Sequence, residues 1–234
     1  MKLGIMQPYI FPYIGYFQLI NAVDSFVIHD DVQWIKGGWI NRNRILVQGK
    51  PQYITLPLQK DSTLLDINQR QLSVDIEKQK LKIFRQIEGA YRKAPHFAPT
   101  IDIISECFGC QERNVSTFVV NSLQACCRYL GIETQVVLSS RLKKRSELHG
   151  QDRVLDINAV MGATHYINPI GGTELYDKKA FAEKGLKLSF LKARNVAYDQ
   201  RGEPEFVPFL SIIDVMMFNS KNEIAELLKA YDLQ

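Results

Sequence analysis

At 234 residues, with 46% hydrophobic and 23% charged residues, the chain has the length and make-up of one substantial globular core. Its net charge of +4 suits an anionic small molecule or an acidic partner and is too weak an excess to argue for nucleic acid. No window reaches the roughly 20 apolar residues of a membrane span, and Gln7, Pro8 and Pro12 interrupt any apolar signal region, so a cytoplasmic protein is expected.

Residues 3–6 form a short apolar run, expected as a buried strand. Pro8 and Pro12 forbid a regular helix over 7–13, and Gly15 allows a tight turn or close packing. Phe17, Leu19 and Ile20 form the apolar side of a short helix, and residues 25–28 read as a second strand. Strand, loop, helix and strand open a parallel βαβ unit, which binds ligands beyond the carboxyl ends of its strands. A dense polar run follows: His29, Asp30, Asp31, Gln33, Lys36, Asn41, Arg42, Asn43 and Arg44. Buried charge is costly unless paired, so this gathering is expected to line a cleft.

Residues 45–58 read as a β-hairpin turning at Gly49-Lys50-Pro51, within a β insertion over 45–75 that includes a short strand at 71–74. Asp75 is expected to cap a helix running to about residue 93, with Leu81, Phe84, Ile87 and Tyr91 as its buried stripe. Helices are expected at 99–108 and 114–131, the latter ended by Gly131, and a strand at 134–138. The basic segment RLKKRSELHGQDR then reads as a mobile loop over the cleft or an exposed surface loop. A helix at 151–161, a strand at 164–167, the turn NPIGGTELY and a strand at 185–191 continue the alternation. After a polar segment over 192–208, an apolar helix covers 210–218, and the Ser220/Glu223 capping box opens a last helix to about residue 231. The pattern predicts an α/β fold: a single domain over 1–234 with a mostly parallel sheet flanked by helices.

The cysteines are Cys107, Cys110, Cys126 and Cys127. The first two have C-x-x-C spacing, but an adjacent pair on a helix is poor zinc geometry and His149 and His165 lie far away in sequence, so buried thiols and no metal are expected.

Asp30 and Asp31, adjacent on an extended backbone, point to opposite sides. One of them, or His29, is a candidate general base. The alternative is that one Asp caps a loop and the other pairs with Arg42 or Arg44. Lys36, Arg42 and Arg44 are candidates for holding a pyrophosphate or carboxylate, and Asn41 and Asn43 for sugar hydroxyls. Because Asn and Arg alternate over 41–44, the cleft is expected to use one pair only. Gly171 and Gly172 allow close backbone approach to a ligand, flanked by Asn168, Glu174 and Tyr176. Tyr9, Tyr13, Tyr16, Trp34 and Trp39 offer flat surfaces, or simply core packing.

The stretches MQPYIFPYIGYFQLI, DSFVIHDDVQWIKGGWINRNRI, YINPIGGTELYD and FVPFLSIIDVMMFN resemble the WbqC-like family over residues 1–219. The resemblance implies a transferase of bacterial O-antigen or other surface-polysaccharide (lipopolysaccharide) synthesis that places an acyl or aminoacyl group on the amine of a nucleotide-linked amino sugar. In that reading His29, Asp30 and Asp31 supply the base. Gln7, Tyr9, Tyr13, Lys36, Asn41, Arg42, Asn43, Arg44, Asn168, Gly171, Gly172, Glu174 and Tyr176 supply the substrate contacts. No cofactor is tightly bound; the donor is a carrier-protein or coenzyme A thioester, and the basic residues over 141–145 suit either. Two other readings stand beside it. The opening is also similar to nucleotidylyltransferase-like, adenylate-forming enzymes, although Tyr9, Pro12 and Gly15 stand where that group has paired histidines. A non-catalytic sugar-binding accessory protein is the third.

Overall fold

The computed structural model describes residues 1–194, 197–200 and 205–234; residues 195–196 and 201–204 of the polar segment expected over 192–208 lie outside the described residues. Strand β1 (Lys2–Met6) leads through a loop to helix α1 (Ile14–Ala22) and back through β2 (Ser25–Ile28). A hairpin of β3 (Arg42–Val47) and β4 (Lys50–Thr55) follows, then helices α2 (Ile76–Tyr91), α3 (Phe97–Gly109) and α4 (Val115–Leu130). Strand–helix alternation resumes with β5 (Gln135–Leu138), α5 (Gly150–Met161), β6 (His165–Pro169), α6 (Lys178–Glu183) and β7 (Lys187–Ala193). Helices α7 (Ile212–Phe218) and α8 (Lys221–Leu227) and strand β8 (Tyr231–Leu233) close the chain.

The sheet order is β5-β2-β1-β6-β7-β8. All its pairings are parallel except β7 with β8. A parallel sheet is covered on both faces, and the side chains divide accordingly. Leu3, Ile5 and Val27 join Val154, Ile157, Tyr166 and Phe181 in one apolar layer. Phe26 and Ile28 join α1, α3, α4 and α7 in the other, larger layer. Helix α1 is buried along nearly its whole length. Its one polar residue in mid-helix, Gln18, is 0% exposed and donates to the carbonyls of Leu227 and Ala230 at 2.8 and 3.1 Å. The hairpin forms a separate two-stranded antiparallel sheet, starting and ending about three residues earlier than the 45–58 expected.

Four expectations need correction. The buried stripe of α2 is Ile76, Lys80, Ile83, Ile87 and Tyr91, while Leu81 is half exposed. Lys80 takes the inward place because its ammonium lies over the Phe118 ring and donates to the carbonyl of Cys110 at 2.6 Å and to Glu77 at 2.8 Å. Residues 71–74 make only isolated pairings, Leu72 with Leu58 and Gln71 with Asn114. Helix α6 was not anticipated, being six residues long. The last helix stops at Leu227 and the chain turns into β8, which pairs with the free edge of β7.

The thiols are free, and three of the four are buried. Burial pushes Cys107 and Cys127 up to about 12, which removes the reactive thiolate at neutral pH. No helix among the described residues is long and apolar enough to cross a membrane.

A buried carboxylate joins three parts of the larger layer. Asp214 on α7 is 0% exposed. It accepts from Tyr91 on α2 at 2.7 Å, from Tyr198 at 2.6 Å and from Gln200 at 2.9 Å. Burial raises its carboxyl above the usual range, against the lowering effect of those three donors. The Tyr91 hydroxyl also accepts from the backbone N–H of Leu46 on β3 at 2.9 Å, so one phenol ties the hairpin to the helices. Tyr91→Phe strips a donor from Asp214 and an acceptor from Leu46, both buried. We expect a loss of about 2–4 kcal/mol, read as a lower urea midpoint at unchanged slope.

Candidate functional site

The loop between β1 and α1 is held in a conformation its own residues disfavour. Phe11 has φ 41°, in the left-handed region that non-glycine residues avoid, and it precedes Pro12. Its carbonyl accepts from Asn43 Nδ2 at 2.8 Å and from Ser211 Oγ at 2.8 Å. Asn43 Nδ2 also donates to the Ile10 carbonyl at 3.0 Å, and the N–H of Ile212 donates to the Pro12 carbonyl at 2.8 Å. The next ring, Tyr13, lies over the start of α1, where Gly15 is required: a Cβ there would sit 2.3 Å from the Tyr13 ring.

These constraints shape a cleft of about 340 Å³ walled by Tyr9, Pro12, Tyr13, Trp39, Asn43, Arg44 and Phe209. Arg44 supplies its charge. The guanidinium carbon lies 5.5 Å from the Trp39 ring centre, and Nη2 donates to the Phe209 carbonyl at 3.3 Å. Its Nε finds no acceptor, and no carboxylate pairs with it among the described residues. Burial raises the phenols of Tyr9 and Tyr13, with each ring's nearness to the other adding to it at Tyr9, so both remain hydrogen-bond donors.

The alternation at 41–44 does not divide as expected: the cleft wall takes one residue of each kind, Asn43 and Arg44. Asn41 donates to the Leu56 carbonyl at 2.8 Å and Asn43 to the 10–11 backbone, so both amides are engaged with the backbone. Arg42 turns onto the backbone, donating to the carbonyls of Gly37 and Gly38, and covers Tyr53 at 4.7 Å. Arg44 alone of the four brings its charge to the cleft. Lys36 is exposed and Gln7 half-buried, and neither lines it.

The His29-Asp30-Asp31 group is built into the fold at another point of the same sheet edge. Asp30, 2% exposed, accepts from both the backbone N–H and the hydroxyl of Ser140, at 2.9 and 2.7 Å, fixing the turn that follows β5. Asp31 pairs with Lys144 and, at 2.7 Å, with Arg153. The residues expected to pair with it, Arg42 and Arg44, are engaged in the hairpin region instead. Burial alone would raise the Asp31 carboxyl, but the hydrogen bond from Lys144 and the charges of Arg153 and Lys144 outweigh it and hold it below its ordinary value. His29 is lowered to about 4 by burial and by Arg153 and Lys144, against the pull of Asp31, so it is neutral at physiological pH. The basic segment, expected as a mobile loop over the cleft or an exposed surface loop, is largely exposed and is anchored here. Lys144 is buried between Asp31 and the Ser139 carbonyl, and Arg145 donates to Asp156 at 2.8 and 3.0 Å.

The Gly171-Gly172 turn trails β6, which flanks β1 opposite β2, so it opens on the same edge as the HDD group. Its glycine requirement is internal. A Cβ on Gly172 would meet Asn168 Nδ2 at 1.8 Å, and the Asn168 Oδ1 accepts from the Tyr166 hydroxyl at 2.9 Å. Tyr176 packs edge-on against Tyr166 and Phe181, and Glu174 is exposed. Of the expected contact residues, the structure therefore brings Tyr9, Tyr13, Asn43 and Arg44 together. Phe209 completes the wall and was not anticipated as a contact, although it lies in the stretch FVPFLSIIDVMMFN. The cations that hold Asp31 were equally hidden: Arg153 lies 122 positions away.

A family model for the WbqC-like protein family matches residues 7–226. The chain belongs to the WbqC-like protein family. It is 28% identical over 230 residues to an uncharacterized protein of Mycobacterium tuberculosis (strain ATCC 25618 / H37Rv), with 97% of each chain covered. No solved structure matches. The WbqC-like match spans every cleft residue, from Tyr9 to Phe209.

The lowered His29 makes acid destabilising. Its folded value of about 4 lies below the usual 6.5, so the unfolded chain binds the proton first. Stability conferred by neutral His29 is full above pH 6.5 and declines as pH falls toward 4. His29→Gln should flatten the stability profile across that window, by on the order of 3 kcal/mol, in urea titrations at successive pH values.

Proposed function

We propose that this WbqC-like protein is a transferase that acylates the amine of a nucleotide-linked amino sugar, and that the Arg44 cleft receives the acceptor. The observation that carries the binding half is a guanidinium with no carboxylate partner among the described residues, set among the rings of Tyr9, Tyr13, Trp39 and Phe209. A guanidinium with free donors suits phosphate oxygens, and aromatic faces suit a base or sugar ring. The transferase half rests on the family resemblance of the first subsection.

In the reaction the neutral amine attacks the carbonyl carbon of an acyl thioester. A C–N bond forms, the C–S bond of the tetrahedral intermediate breaks, and the proton shed by nitrogen ends on the departing thiol. The tyrosine hydroxyls of the cleft are the donors best placed to steady the oxyanion. Asp30 is committed to Ser140, and Asp31, ionised and shared by two cations, is a weak base. His29 is neutral, but an imidazole lowered to about 4 with its Nε2 buried is a weak base as well. That commitment of both carboxylates favours a second reading, a sugar-nucleotide binding protein without turnover.

Purified protein incubated with nucleotide-linked amino sugars and acyl thioesters, followed by mass spectrometry, tests both. Amide product supports the transferase; tight binding with no product supports the second reading. Arg44→Ala should raise KM by about 10- to 100-fold, the worth of a charge-assisted contact, with a much smaller fall in kcat. Unchanged affinity for the sugar nucleotide in that variant would remove Arg44 from the site.

A further inference from the structure

The six-stranded sheet ends in β8 on one side and β5 on the other, and the chain treats these two edges differently. Strand β8 is three residues long and carries Asp232, which accepts three hydrogen bonds from Arg194. Shortness and charge keep an edge strand from pairing with another chain. The hairpin is guarded as well. Strand β4 opens with exposed Lys50 and Pro51, and β3 is engaged by the N–H of Ser211 and the hydroxyl of Tyr91.

Strand β5 has none of these guards. Gln135, Val136, Val137 and Leu138 bring no charge, no proline and no bulge to the edge, and each is partly or fully exposed. The backbone of residues 136–138 makes no hydrogen bond among the described residues beyond its ladder with β2. Alternate residues of a ladder turn their N–H and C=O to opposite sides, so β5 presents a row of unpaired groups outward. Beside this edge lies a groove of about 330 Å³, lined by Val136, Val137 and Leu138 and by Thr117, Val120, Asn121 and Gln124 of α4. An open, uncharged, apolar strand edge of this kind is a template for another strand.

We propose that β5 is the interface of a homodimer, pairing antiparallel with β5 of a second copy about a two-fold axis, so that one sheet runs through both chains. The occupant is a second copy because the edge is complementary to itself. Residues opposite each other in such a pairing must both turn their backbone groups to the shared edge, so the axis passes through a residue and not between two. Of the two central residues, Val136 would set Gln135 against the partner's Val137. Val137 instead sets Val136 against the partner's Leu138, an apolar pair made twice by the symmetry. The same axis brings Glu133, just before the strand, toward the partner's Arg141, just after it. Glu133 and Arg141 are both exposed, and neither has an ion pair among the described residues. The exposed sides of the two α4 helices then close the groove from each copy.

Sedimentation velocity of the full chain, from nanomolar to high micromolar concentration, should show a monomer–dimer equilibrium. Glu133→Arg or Arg141→Glu alone sets like charges together at both ends of the pairing and should weaken the dimer at least about tenfold. The double variant exchanges the charges and should return the dimer to within about threefold of its native affinity. Both positions are exposed, so folding is expected to survive, with circular dichroism as the check. Hydrogen exchange on the unaltered protein gives a second measurement that needs no variant: amides over 136–138 should exchange more slowly as concentration rises through the transition. A monomer at every concentration would overturn the proposal. So would a dimer unmoved by either single change, a double variant no tighter than the singles, or 136–138 amides whose exchange ignores concentration.

Discussion

The hold on the Phe11 carbonyl is the constraint on which the cleft depends. A loop residue at φ 41° keeps that conformation only where its surroundings over-determine it. Here they do: Asn43 reaches it from the hairpin and Ser211 from the start of α7, each at 2.8 Å. The same two residues set the neighbouring backbone, Asn43 through the Ile10 carbonyl and Ser211 through its N–H to the Arg44 carbonyl at 2.9 Å. Loop, hairpin and helix thus meet at one buried oxygen. Tyr13 and Arg44, each one or two residues from that junction, inherit their positions from it.

Around this junction the protein separates structural charge from available charge. Asp30, Asp31 and Asp214 are buried or half-buried, and each has two or three donors aimed at it. Such groups fix the turn after β5, the start of α5 and the packing of α7, and removing a partner from any of them exposes an uncompensated polar group. Arg44 is treated oppositely, kept near aromatic faces with donors to spare. A cation left in that state is stabilised further by any anion that reaches it.

Most of the scaffold was legible in the sequence because periodicity and capping are local. The strand–loop–helix–strand opening, the Asn114 and Gly131 ends of α4 and the Ser220/Glu223 box of α8 all appear where the residues put them. The stripe of α2 was misplaced because a lysine can occupy an inward position when its ammonium finds a carbonyl at the rim, as Lys80 does. The polar run after β2 was rightly singled out as unusual, but its charges answer to partners the chain supplies much later. Lys144 and Arg153 could be matched to Asp31 only by knowing that β5 and α5 come to lie beside β2. The cleft was half legible for the same reason. Tyr9, Tyr13 and Arg44 lie within one continuous stretch, while Phe209 joins them from the far end of the chain.

The separation of Phe11 from Ser211, 200 positions along the chain, has a temporal consequence. Local helices form early, but a contact that closes so long a loop is entropically late and slows folding. During synthesis the aromatic loop and the hairpin emerge long before α7, so Phe11 has only one of its two donors and the cleft has no Phe209 wall. The cleft therefore matures last, and a growing chain does not complete it until Phe209 and Ser211 have been made.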